Sequence, residues 1–103
     1  MSYNTVIRVE QTEVYLDRIN ALKDRVGRAR IQMRIDRLIH GNPGKHRNLA
    51  GGVSELKIDF GPGYRVYYTQ RGSQLLLLLA DGDKSTQARD IEKAIQLARN
   101  FQE

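Results

Sequence analysis

Residues 53 to 80 read VSELKIDFGPGYRVYYTQRGSQLLLLLA. Three runs rich in β-branched, aromatic or leucine residues stand here, VSELKIDF, YRVYYTQ and QLLLLLA. Gly61-Pro62-Gly63 divides the first two and Arg71-Gly72-Ser73 the last two. Connections this short join antiparallel neighbours and leave no room for a crossover. The stretch therefore predicts a three-stranded meander. Leucines from Leu75 to Leu79 face both ways along a strand, so the third strand is expected at the centre of the sheet, covered on both sides.

The register of the first hairpin can be argued. With Gly61-Pro62-Gly63 as the loop, Phe60 pairs with Tyr64, Asp59 with Arg65, Lys57 with Tyr67 and Leu56 with Tyr68. One face then carries Leu56, Ile58, Phe60, Tyr64, Val66 and Tyr68. The other carries Glu55, Lys57, Asp59, Arg65, Tyr67 and Thr69. A slip of one residue would mix these sets and bring charge into the core. On the polar face Lys57 and Arg65 stand two positions apart across the strands, within reach of one phosphate. Tyr67 offers a ring for base stacking, and Glu55 is the nearest proton acceptor. The plainer alternative is a solvated face with Asp59 and Arg65 as a cross-strand ion pair.

Outward from the meander the period changes. Residues 5 to 10, TVIRVE, alternate as a strand that joins an edge of the sheet. Thr12 suits an N-cap, and Tyr15, Ile19 and Leu22 recur at helical spacing over residues 13 to 23. Gly27 marks either the break between two helices or a position inside the second. Residues 28 to 40 place Ile31, Ile35, Leu38 and Ile39 on one helical face. Arg30, Arg34 and Arg37 lie on the other, a row that is either solvated or a contact for RNA or an acidic partner. Residues 41 to 52, with glycines at both ends, read as a loop holding the basic cluster Lys45-His46-Arg47, in which His46 could touch a backbone phosphate. Residues 86 to 101 form the last helix, with Ile91, Ala94, Ile95 and Ala98 as its stripe and Ser85 or Thr86 as its cap. The order is β-α-α-β-β-β-α, an α+β fold in which helices pack on a small antiparallel sheet of about four strands. One domain is expected over residues 1–103.

Composition narrows the chemistry. The chain has no cysteine, which excludes disulfides, thiolate catalysis and thiolate-bound zinc. Its two histidines lack a carboxylate pattern that would hold a metal; His40 reads as a surface residue at a helix C-terminus. The glycine turns feed no helix, so neither is a phosphate loop. No cofactor is expected. The longest apolar run, Leu75 to Ala80, is far short of the ~20 residues of a membrane span, and no signal peptide is visible. A soluble, cytoplasmic protein without a membrane partner is expected. The formal charge of +5, with 17 Lys and Arg against 12 Asp and Glu, favours an anionic partner, nucleic acid or acidic protein. Lys84, in Gly82-Asp83-Lys84 at the end of the leucine strand, could face the polar patch of the hairpin.

Three motifs carry a resemblance that spans nearly the whole chain: LAGGVSELKI at 49 to 58, GPGYRVYY at 61 to 68 and GDKSTQARDI at 82 to 91. They resemble the toxins of RelE/ParE-type toxin–antitoxin modules, closest to the phage-derived, HigB-like branch called addiction module killer proteins. The resemblance implies a bacterial cytosolic toxin held by a cognate antitoxin, in this branch typically a small helix-turn-helix (HigA-like) protein. It implies an mRNA interferase that cleaves ribosome-bound mRNA with the ribose 2′-OH as nucleophile, needing neither metal nor protein nucleophile. By that resemblance Arg65 matches the strand arginine that stabilises the transition state, Lys57 and Lys84 are phosphate clamps and Glu55 is the general base. Tyr67 and Arg47 would bind substrate, beside Lys45 and His46. The chain departs from the pattern in having no His or Tyr after Tyr68. The ParE side of the superfamily poisons DNA gyrase, and a non-enzymatic binder of nucleic acid or antitoxin is the third reading.

Overall fold

A computed structural model describes residues 7–102. The elements are β1 (Arg8–Gln11), α1 (Glu13–Ala21), α2 (Arg25–Ile39), β2 (His46–Asn48), β3 (Val53–Ile58), β4 (Tyr64–Arg71), β5 (Leu75–Asp83) and α3 (Gln87–Asn100). Short 3₁₀ turns at Ala50–Gly52 and Lys84–Thr86 precede β3 and α3. The strands form one sheet in the order β1-β5-β4-β3-β2. The α+β architecture and the meander stand as expected, and the leucine strand is covered on both faces, but β4 rather than β5 is the middle strand and β5 lies next to the edge strand β1. Thr5 and Val6 of the expected first strand lie outside the described residues. Among those described, no helix is long and apolar enough to cross a membrane.

Two further features of the sheet differ from the expectation. β1 runs parallel to β5, so the sheet is mixed. Nothing forces β1 antiparallel, because two helices and the meander separate it from β5 in sequence. Thr12 fastens the junction: its amide donates to Leu78 O (3.0 Å), its hydroxyl donates to Leu79 O (2.6 Å), and the same hydroxyl accepts from Tyr15 N as the α1 cap. The second difference is a fifth strand. β2 pairs antiparallel with β3 inside the segment expected as loop. Its three residues are exposed, so no apolar alternation announced it.

The first hairpin is shifted by two residues from the expected register. Ile58 pairs with Tyr64, Lys57 with Arg65, Leu56 with Val66 and Glu55 with Tyr67. The turn is five residues long, Asp59 to Gly63, with Phe60 N donating to Ile58 O and Gly63 N to Phe60 O. Gly61 and Gly63 both take positive φ, 57° and 81°, which a side chain would resist. A two-residue shift keeps every residue on its face, so the two expected sets survive. Asp59 and Phe60, however, leave the sheet. Asp59 pairs with Lys45 (2.6 Å) rather than Arg65, and Phe60 lies beneath Arg30, 4.5 Å from its guanidinium carbon.

The helices sit on opposite faces. α1 and α2 cover Leu56, Ile58, Tyr64, Val66, Tyr68, Leu76 and Leu78 with Tyr15, Ile31, Ile35 and Leu38. α3 covers Val53, Tyr67, Leu77, Leu79 and Ala80 with Ala94 and Ala98. All five leucines are at most 1% exposed, each contributing about 1.5–3 kcal/mol of transfer free energy. Gly27 lies inside α2. The Asp24 side chain caps that helix by accepting from Gly27 N (2.9 Å) and accepts from the Tyr64 hydroxyl (2.7 Å). Arg34, expected on the outer row, instead donates to the carbonyls of Lys57, Pro43 and Lys45 (2.6, 3.0 and 2.8 Å) and ties α2 to the loop before β2.

Gly27 supplies the first test. Alanine normally favours a helix interior over glycine by about 1 kcal/mol. Here a Cβ would stand 2.5 Å from the Tyr64 ring and 2.6 Å from Asp24 Oδ2. Gly27→Ala should therefore lower stability by about 1–3 kcal/mol, as overpacking does. Urea unfolding checks it, and a stabilised variant would contradict the close contact.

Candidate functional site

The sheet brings most of the polar residues of β2, β3 and β4 onto the face that α3 covers. Arg47 stands opposite Glu55, Glu55 opposite Tyr67, and Tyr67 opposite Ala80, one row across four strands. The next row sets Lys57 opposite Arg65 and Arg65 opposite Gly82, with Lys45 beside Lys57 through Lys57 N donating to Lys45 O. α3 begins at Gln87 and closes the first row. The second lies beyond the start of the helix.

Closure makes the first row an interior network. Glu55 has no exposed surface. Its Oε2 accepts from Gln87 Nε2 (2.9 Å), and Arg47 Nη2 lies 3.2 Å from Oε1, an ion pair without hydrogen-bond alignment. Tyr67 is likewise fully buried, and its hydroxyl has no aligned partner among the described residues. Burial, with the Glu55 carboxylate adding to it, pushes that hydroxyl well above the usual tyrosine range. The ring is thus under α3 and offers no stacking surface, which corrects the expectation for Tyr67. Gln87, which sequence reasoning passed over, is the residue that seals Glu55. Its place in the motif at 82 to 91 was the only sequence signal, and its role stayed hidden because its partner lies 32 residues away.

The second row is a cluster of cations. Arg65 is 7% exposed; its Nη1 donates to Gly63 O and Tyr64 O (both 3.1 Å), and its buried Nε has no partner. Lys84 adjoins it: a Cβ on Gly63 would stand 3.5 Å from both Arg65 Nη1 and Lys84 Cβ. Lys84 is exposed and Lys57 half-buried. None of the three is ion-paired among the described residues. Like charges directly opposite on neighbouring strands destabilise a sheet, and a buried donor without a partner is costly. An anion held between Lys57, Arg65 and Lys84 would relieve both. The basic cluster of the loop is divided by strand alternation. Arg47 and Lys45 share the face of Glu55 and Lys57, whereas His46, opposite Leu56, turns to the other face. Lys45 is engaged by Asp59, whose carboxyl that contact holds below its ordinary range.

A second polar region closes the free edge of β5 beyond β1. Arg18 of α1 donates to Asp81 O (3.0 Å) and to Asp90 Oδ1 (2.8 Å), and Thr86 donates to Asp90 Oδ2 (2.6 Å). Gly82 makes room, because a Cβ there would collide with the Asp90 carboxylate. Arg18 thereby links the helix layers on the two faces. Burial pushes the Asp81 carboxyl up to about 7, opposed by Arg18 and reinforced by Asp90.

No family model matches the chain. It is 41% identical over 95 residues to an uncharacterized protein of Haemophilus influenzae (strain ATCC 51907 / DSM 11121 / KW20 / Rd), covering 92% of this chain and 96% of the other. The two proteins belong to one family. Among solved structures, the chain is similar to the Escherichia coli toxin RelE, in a free-state form with two arginines replaced by alanine. The TM-score is 0.72 at 15% identity, over 93% of this chain and 99% of that one. The family therefore has a RelE-like fold, which agrees with the resemblance drawn from the sequence motifs.

Two outcomes test the polar interior. Removing Arg47 leaves Glu55 buried without its cation, so Arg47→Ala should cost about 1–3 kcal/mol. Glu55→Gln in the same chain should recover much of that loss, measured as a double-mutant cycle. For Asp81 the unfolded chain ionises near 3.9, whereas the folded protein keeps its proton up to about 7. Its contribution to stability is therefore present below about pH 4 and lost as pH rises to about 7. Asp81→Asn should be more stable than the parent at about pH 8, with the gap narrowing toward about pH 4 in urea titrations.

Proposed function

We propose that this protein is the toxin of a type II toxin–antitoxin module of the RelE/ParE kind, in the HigB-like branch. In this reading it acts in the cytoplasm as an mRNA interferase on ribosome-bound mRNA, with a cognate helix-turn-helix antitoxin as its partner. The observation that carries the reading is the unpaired cluster of Lys57, Arg65 and Lys84 at the open end of a RelE-like sheet. The ribose 2′-OH attacks the adjacent phosphorus, the bond to the 5′ oxygen breaks, and a 2′,3′-cyclic phosphate remains. The 2′-OH gives up its proton and the leaving 5′ oxygen takes one. Charge grows on the phosphoryl oxygens during this step. Fixed cations already in place stabilise that charge without reorganising, and holding the phosphate supplies orientation. Arg65 takes the stabilising role, with Lys57 and Lys84 as clamps. Arg47 and Lys45 extend the cationic surface along the RNA, while His46 lies on the opposite face. The burial of Glu55 argues against a base role in the free protein, and its carboxylate serves to orient Arg47.

A second reading is gyrase poisoning of the ParE type. It is favoured by the absence of His or Tyr after Tyr68 together with the closure of Glu55 under α3, which removes the base the sequence motifs implied.

Induced expression in bacteria separates these readings. RNA cleavage gives translation arrest and transcripts with mapped breaks. Arg65→Ala should reduce cleavage by about 10²–10³, and Lys57→Ala with Lys84→Ala, which removes the less buried cations, should reduce it with the fold intact. DNA breaks with intact mRNA would favour gyrase instead. A folded Arg65→Ala variant of full toxicity would overturn the assignment.

A further inference from the structure

The end of β5, beyond the reach of β1, borders a cavity of about 310 Å³, at the small end of the range for ligand pockets. Leu22, Ile31 and Tyr64 give it an apolar side. Asp81, Asp83 and Asp90 bring three carboxylates to the rest of its wall, against the two guanidiniums of Arg18 and Arg89.

Most of these polar groups are already answered. Asp90 accepts from Arg18 (2.8 Å) and from Thr86 (2.6 Å). Asp83 accepts from the Ser85 amide (2.8 Å), and the Tyr64 hydroxyl donates to Asp24 (2.7 Å). The Asp81 side chain is different. It is 5% exposed, and its Oδ1 has no hydrogen-bond partner among the described residues. Asp81 stands opposite Val66 and so shares the face that α1 and α2 cover. A carboxylate oxygen left unanswered there is costly, and an apolar residue would make the folded chain more stable.

We infer that this cavity binds a small organic cation, a planar amidinium or guanidinium on a compact apolar body, with Asp81 as its acceptor. The N–H groups of such a cation supply the partner that Oδ1 lacks and a charge to match the carboxylate. A planar, delocalised cation is less strongly hydrated than an ammonium and enters a half-apolar cavity more readily. Its body would lie against Leu22, Ile31 and Tyr64. An anion is the wrong occupant, because carboxylates outnumber guanidiniums in the wall and Arg18 is committed to Asp90. A metal ion is also wrong. Among the described residues no three His, Cys, Asp or Glu side chains are grouped to hold one, and a hard divalent ion asks for about six oxygens. Arg65, opposite Gly82, lies on the sheet face under α3, whereas Asp81 lies on the other. The inference therefore does not rest on the RNA-cleavage reading.

The test titrates the full chain with benzamidine, with its neutral analogue benzamide and with benzoate. At about pH 8 benzamidine should saturate with a Kd at or below about 1 mM, and the amide resonances that move should centre on Gly82, Asp83 and Thr86. Benzamide should bind at least about tenfold more weakly, and benzoate should not bind. Asp81→Asn should lose at least about tenfold in affinity for benzamidine, while its melting temperature shows that it folds. The charged and titratable groups around Asp81 are Tyr15 and Arg18 of α1, Tyr64 of β4, Asp83 of its own strand, and Arg89 and Asp90 of α3. Both tyrosine hydroxyls are pushed above their usual range, and burial raises the Asp81 carboxyl to about 7. Affinity should therefore fall from about pH 8 to about pH 5 as Asp81 takes up its proton. No saturable binding of benzamidine by about 10 mM, equal affinity in Asp81→Asn, or equal affinity for benzamide overturns the inference. Cleavage is read at Arg65, so failure here leaves the proposed activity standing.

Discussion

Strand β5 has to hide both of its faces, and the rest of the molecule follows from that constraint. Leu76 and Leu78 look one way, Leu77 and Leu79 the other, and every one is buried. Helices must therefore lie on both sides of the sheet. α1 and α2 meet the side that carries the apolar set of β3 and β4. α3 has to meet a side where β3 and β4 carry Glu55, Lys57, Arg65 and Tyr67. The helix reaches far enough to seal Glu55 and Tyr67 and stops short of Lys57 and Arg65. Where α3 begins decides which polar residues become interior structure and which stay at the surface.

That division creates two electrostatic regimes a few residues apart. Under α3, Glu55 keeps Arg47 and Gln87, and a buried carboxylate with partners is tolerable. At the open end Lys57 and Arg65 face each other with no acid between them, and Lys84 crowds the same turn. Cross-strand repulsion is a cost that an ordinary surface would avoid with one substitution. Its persistence beside a buried, unpartnered Arg65 Nε is what makes this end of the sheet a candidate anion site.

The elements that were legible were those whose signal is local or periodic. Short turns dictated the antiparallel meander, helical spacing placed α1, α2 and α3, and Thr12 announced its cap. The hairpin faces were correct although the register was two residues off, because alternation is blind to even shifts. The five-residue turn was hidden because Gly61 and Gly63 suit more than one turn geometry. β2 was missed because a three-residue exposed edge strand has no apolar alternation. The parallel pairing of β1 was open because its partner lies far along the chain.

By itself the sequence determined what each segment prefers and which residues share a face, since those properties depend on neighbours a few positions away. It also carried the motifs that match a RelE-like fold. The tertiary structure alone decided exposure. Nothing local shows that α3 closes over Tyr67 and Glu55, that Arg34 turns inward to three loop carbonyls, or that Arg18 joins the two helix layers through Asp90. Each depends on how distant elements pack, and packing is a property of the whole chain. The polar face of the hairpin was readable as a set; which of its members could meet a ligand was settled by where one helix starts.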